Sequence, residues 1–230
     1  MNFVYICRDG DNEELRYSIR SIVKNCDVND IWVVGGKPDW YLGNHIPVTQ
    51  KYSKYKNVFL NFKTICDSDE ISENFILMND DFFIINSVDK ITSYYNGTLE
   101  EKINAYETVL GRSSYVNRLK ITQDKLIQMG FDNPLNYEIH VPMAMSKKNF
   151  NDVLGMNHNL LYRSVYGNKF SSNSIEMKDV KVYSSDSFEL LSFDYKNIQS
   201  PFLSTESGSF LELKNLFLSK HFFQKTIYEV

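Results

Sequence analysis

The first 36 residues constrain the fold most. "FVYIC" (3–7) is a β-branched and aromatic run that reads as a short buried strand. "RDGDN" ends it. "EELRYSIRSIVKN" then carries helical period, with Leu15, Ile19, Ile22 and Val23 on one face. Asp11 is placed to cap this helix, and Glu14, three residues on, completes a capping box. "DIWVVGG" (30–36) is a second buried strand, closed by glycines. A strand, helix and strand of this length predict a parallel pair joined by a right-handed crossover, since a tight hairpin cannot connect parallel neighbours. The chain opens as an α/β sheet.

The segment 35–57, with Pro38 and Pro47, reads as a loop, and 57–71 as a helix. "FILM" (75–78) is a third strand, and "FFII" (82–85) continues beyond an acidic pair. From 90 to 135 the chain is polar and partly helical, with "SYYNGTL" as a turn. "YEIHVPMAMS" (137–146) is extended. The stretch 147–170 is helical with breaks near Gly155 and Gly167, 179–184 is a strand, and 210–223 is a terminal helix. No repeat or Pro/Gly-rich linker divides the sequence, so 1–230 reads as one domain, with 171–230 as a C-terminal elaboration.

The 230 residues carry a net charge of −4, so no global basic field draws the chain to nucleic acid or to a membrane. Three separated cysteines, Cys7, Cys26 and Cys66, show neither a disulfide framework nor zinc spacing. Reduced thiols, no apolar run of spanning length and a charge at Arg8, too early for a signal peptide, lead to the expectation of a cytoplasmic protein.

The stretch "FILMNDDFFII" poses the chemical question. Two adjacent carboxylates, Asp80 and Asp81, stand between runs that belong in a core. Ionised carboxylates beside apolar segments need compensation. A solvated Asn-Asp turn would supply it with water. A divalent cation would supply it with charge and leave positions for phosphate oxygens. The turn also follows a strand of an open α/β sheet, the edge at which such sheets bind ligands. Elsewhere, Arg8 stands at the mouth of a helix N-terminus, a natural anion site, and Arg16 lies one turn further on. Lys63, His140 and Arg163 each sit beside apolar residues, where a charge or an imidazole needs a partner.

In order, these pieces resemble the Stealth family of sugar-phosphate transferases. "FVYICRDGDN" is similar to its first region, although Cys7-Arg8-Asp9-Gly10 stands where Trp-Val-Asp-Gly is usual. "ELRYSIRSIVKN", "IWVVGGKPDW" and "FILMNDDFF" resemble the second, "EIHVP" the third and "YRSVYGN" the fourth. The resemblance spans about 3–168. It implies a GT-A-like (Rossmann-like) open mixed sheet flanked by helices. It also implies Asp80 and Asp81 as ligands of Mn²⁺ or Mg²⁺, with Asp81, His140 and Arg163 catalytic. Arg8, Arg16, Lys63 and Asn79 become donor- or phosphate-binding candidates.

The expectation is a metal-dependent transferase moving a sugar-1-phosphate or glycosyl unit from a nucleotide sugar to an acceptor hydroxyl. A glycan, a polymer, a lipid-linked sugar or a modified nucleic-acid base would each present that hydroxyl. Lys51, Lys54 and Lys56, interleaved with Tyr52 and Tyr55, form a local strip able to track a nucleic-acid backbone, but a solvated loop is the favoured reading of it. The alternative is a catalytically inactive sugar- or nucleotide-binding module. A two-metal phosphohydrolase ranks last for want of clustered Asp and His.

Overall fold

The computed structural model describes residues 1–111, 113–156, 159–184 and 200–230. In chain order the elements are β1 (Asn2–Cys7), α1 (Glu13–Asn25), β2 (Asp30–Gly35), β3 (Asn44–Pro47), α2 (Lys54–Asp67), β4 (Asn74–Asn79) and β5 (Phe82–Ile84). Then follow β6 (Tyr94–Tyr95), α3 (Leu99–Leu110), α4 (Ser114–Gln128), β7 (Met143–Ser146), α5 (Lys147–Leu154), α6 (Tyr162–Phe170), β8 (Ile175–Glu176), β9 (Lys181–Val182) and β10 (Phe202–Thr205). α7 (Ser207–Leu213) continues through a π-helical turn (Lys214–Leu218) into a last helical turn (Ser219–His221).

A five-stranded sheet in the order β3-β2-β1-β4-β7 forms the centre. Its first four strands are parallel, and β7 pairs antiparallel with β4. Both faces are covered, which is why the inner strands β1, β2 and β4 are near-continuous apolar runs rather than alternating ones. Phe3, Tyr5 and Cys7 of β1 meet Leu15, Ile19 and Ile22 of α1 on one face. Val4, with Val34 of β2, meets Phe62 and Ile65 of α2, backed by Phe150 of α5 and Val165 of α6, on the other. The open mixed sheet flanked by helices is therefore as expected.

Several boundaries differ. Asn12, not Asp11, caps α1; its side chain accepts from Leu15 N. Val23 is 40% exposed and lies off the buried face. The loop at 35–57 contains β3, added parallel to β2. Of 137–146, only the last four residues form a strand. Gly167 lies within α6 instead of breaking it: a Cβ there would meet the Tyr137 ring at 2.4 Å, so glycine permits this helix to sit on that ring. "FFII" does not extend the central sheet. It forms β5, paired with β10 in a three-stranded sheet of order β5-β10-β9. No described helix is long and apolar enough to cross a membrane.

Candidate active site

β1 and β4 are parallel neighbours with Ile6 opposite Asn79, so the segments following them leave the sheet at the same edge. A cavity of about 560 Å³ opens there, lined by Arg8, Glu14, Asn79, Asp80, Asp81 and His140 among others. That volume suits a small-molecule ligand. Two glycines bring Arg8 to it. A Cβ on Gly36 would meet the Arg8 backbone at 2.5 Å, and one on Gly35, whose φ is +113°, would meet Cys7 O at 2.1 Å. The chain after β1 can pack against the end of β2 only because both side chains are missing.

Asp80 and Asp81 occupy the turn by which the chain passes from the central sheet to the smaller one, so both flanking runs are buried for different reasons. Asn12 serves two purposes. Its Oδ1 caps α1 while its Nδ2 donates to Asp80 Oδ2. An aspartate could cap but has no proton to donate, which explains why the amide holds this position. Burial first, then the Asp81 charge, pushes the Asp80 carboxyl above its ordinary value; the Asn12 bond and Arg8 act against this. Asp81 accepts from Lys181 Nζ at 2.9 Å and Ser204 Oγ at 3.4 Å. Glu14 is the third carboxylate. Burial, followed by Asp80 and Asp81, pushes it up to about 7, and its Oε1 is buried with no hydrogen-bond partner.

His140 lines the same cavity and is held from behind. Asp179 accepts from the backbone N–H of His140 at 3.1 Å, and its two oxygens lie 3.0 and 2.9 Å from Nδ1. Although burial acts upward, the hydrogen bonds and charge of His140 bring the Asp179 carboxyl down to about 2. Nδ1 is thus the protonated nitrogen, and Nε2 has no hydrogen-bond partner among the described residues. Arg163 donates to Tyr137 O at 3.2 Å and Val141 O at 2.6 Å, bracketing the histidine in sequence. Its guanidinium secures the segment that carries His140.

The structure thus brings Arg8, Asn79, Asp80, Asp81 and His140 to one cavity. Arg163 lines a smaller adjoining one. Arg16 and Lys63 lie outside both. Arg16 stacks 4.5 Å from the Trp40 ring and pairs with Glu229 at 3.5 Å. Lys63 is half-exposed on α2 and pairs with Asp67 one turn on. In the lysine and tyrosine strip, Lys56 lies 4.5 Å from the ring of Tyr52, which stays 54% exposed, Arg118 lies 3.7 Å from that of Tyr55, and Lys54 lines the cavity. Sequence reasoning missed Asp179, Lys181 and Glu138, and took Glu14 for a capping residue. Asp179 is 39 positions from His140, and Lys181 is 100 from Asp81, so no local spacing signals either pair.

Among the described residues, no group of three His, Cys, Asp or Glu side chains could hold a metal ion by itself. Asp80 and Asp81 are the side chains that would hold a divalent cation at this edge. Three mutually repelling carboxylates and the unbonded Glu14 oxygen suit positive charge there, and Lys181 already provides one such charge.

No family model and no curated protein matches the chain. Among solved structures, it is similar to the apo form of the glycosyltransferase GlyE of Streptococcus pneumoniae TIGR4, with a TM-score of 0.42 and 8% identity. The match covers 96% of this chain and 62% of that one, so the chain spans less than two thirds of the protein it matches. The motif resemblance to the Stealth family is carried by its four sequence blocks alone.

Proposed function

We propose that the chain is a transferase that moves a glycosyl or sugar-1-phosphate unit from a nucleotide sugar to an acceptor hydroxyl. One observation carries this reading: Asp80 and Asp81 share a cavity with a histidine that Asp179 backs. Asp179 fixes the neutral tautomer in which Nε2 is the base. His140 takes the acceptor proton at Nε2. The acceptor oxygen then bonds to the anomeric carbon or to the sugar-bearing phosphorus. The bond to the nucleotide breaks, and its electron pair leaves on the departing phosphate oxygen. Arg8 and Lys181 face that growing negative charge. Asp80 and Asp81 would hold Mn²⁺ or Mg²⁺, which would neutralise the donor diphosphate. The Stealth resemblance favours attack at phosphorus.

The test is a screen of nucleotide sugars with Mn²⁺, followed by mass spectrometry. Release of nucleoside monophosphate indicates sugar-phosphate transfer, and release of nucleoside diphosphate indicates glycosyl transfer. If every donor remains intact with water and with simple sugars as acceptors, the transferase reading is wrong.

A second reading, an inactive sugar- or nucleotide-binding module, is favoured by one contact. Lys181 already occupies Asp81 Oδ2, an oxygen that a metal would need. This reading expects calorimetric binding of a nucleotide sugar without consumption.

A further inference from the structure

A second cavity, of about 410 Å³, adjoins the first, and the two share Asn79, His140, Lys181 and Glu206 in their linings. The character changes across that common wall. The first cavity is lined by Arg8 and four carboxylates, Glu14, Asp80, Asp81 and the shared Glu206. The second is lined by the rings of Tyr106, Tyr115 and Tyr183, with Glu138 among them. Tyr106 and Tyr115 meet edge to face with centroids 5.4 Å apart, and Tyr106 and Tyr183 are joined by a side-chain hydrogen bond.

We propose that this second cavity is the acceptor subsite and that its ligand is a saccharide. The proposal rests on the transferase reading above. A reaction joining two substrates needs two adjacent spaces with the base between them, and His140 is in the wall of both. A pyranose ring offers C–H faces that pack on aromatic rings and hydroxyls that donate to carboxylates. Three tyrosines with Glu138 and Glu206 supply both kinds of contact. A nucleic acid fits poorly, because the two cations of this cavity are already engaged, Arg163 on the carbonyls of Tyr137 and Val141 and Lys181 on Asp81, which leaves little positive charge for its phosphates.

The test is saturation-transfer NMR on the full chain. The probes are methyl glycosides of the common pyranoses, their disaccharides, a short oligonucleotide and, separately, a nucleotide sugar. Saccharide signals are expected. Tyr183→Ala and Tyr106→Ala should weaken them at least tenfold while nucleotide-sugar binding persists, which also shows that the variants fold. No saccharide signal, a signal unchanged in both variants, or binding of the oligonucleotide alone overturns the proposal. Tyrosine-dependent saccharide binding with no donor consumed supports the saccharide site and overturns transfer instead.

Discussion

The proposed role of His140 as base requires its Nδ1 proton to stay in place, and Asp179 is the group within hydrogen-bond reach of that nitrogen. His140→Ala should lower kcat by about 10²–10⁴-fold with little change in donor affinity. Asp179→Asn keeps the shape but removes the charge. It should lower kcat by roughly 10²-fold or more with donor affinity retained. Equal losses in kcat and donor affinity would mark His140 as structural. Glu14 gives a pH test that needs no substrate. Burial, then Asp80 and Asp81, raises it from 4.5 to about 7 in the folded chain. The folded state therefore keeps a proton that the unfolded chain has lost. The contribution is fully present below about pH 4.5 and is lost as pH rises through 7. Because Glu14 is partly exposed, the loss should be about 1–2 kcal/mol. Urea midpoints at pH 5 and pH 8 should differ less in Glu14→Gln than in the parent chain.

At the scale of elements, the helix α1 does more than pack on the sheet. Leu15, Ile19 and Ile22 enter the core. Ser18 Oγ donates to Phe82 O, and Ser21 Oγ accepts from Ile84 N at 3.0 Å, so the same helix anchors β5. These bonds fix the strand that begins immediately after Asp81. The small side chains in "LRYSIRSI" thus help position the carboxylates without touching them. α6 depends on a different small residue. Gly167→Ala would drive a methyl group into the Tyr137 ring. It should cost about 1–3 kcal/mol in thermal or urea unfolding. Turnover should fall as well, because Arg163 on α6 holds the segment of His140. A variant as stable as the parent would show that α6 can shift freely.

Across the whole molecule, residues far apart in sequence close the structure. Arg20 donates to Glu229 through Nε at 2.9 Å and through Nη2 at 2.6 Å, and the Glu229 side chain is fully buried. The Glu229 carboxyl is lowered and the Arg20 guanidinium raised by this pairing, burial opposing both. Removing one partner leaves the other charge buried and unpaired. Glu229→Ala should therefore cost about 3–5 kcal/mol, whereas Glu229→Ala with Arg20→Met should recover much of the loss. Equal destabilisation in the single and double variants would show that the charge pair is not the cause. Lys181 and Glu206 reach the walls of both cavities in the same long-range way, and Asp179 stands behind His140.

The sequence by itself determined the parallel start of the sheet, because hydrophobic period and capping chemistry are local properties of "FVYIC", "ELRYSIRSIVKN" and "DIWVVGG". It also marked the Asp80–Asp81 pair, since adjacent charges beside apolar runs demand compensation wherever they fold, whereas His140 became a candidate through the motif resemblance. It did not separate Arg8, which reaches the cavity, from Arg16, which pairs with the side-chain carboxylate of Glu229 instead. Only the tertiary structure decided that, and it alone placed Asp179 behind His140 and Lys181 on Asp81. Those pairings join residues 39 and 100 positions apart through the packing of separate elements. A hydrogen bond acts over about 3 Å, and no spacing rule along the chain encodes contacts of that kind.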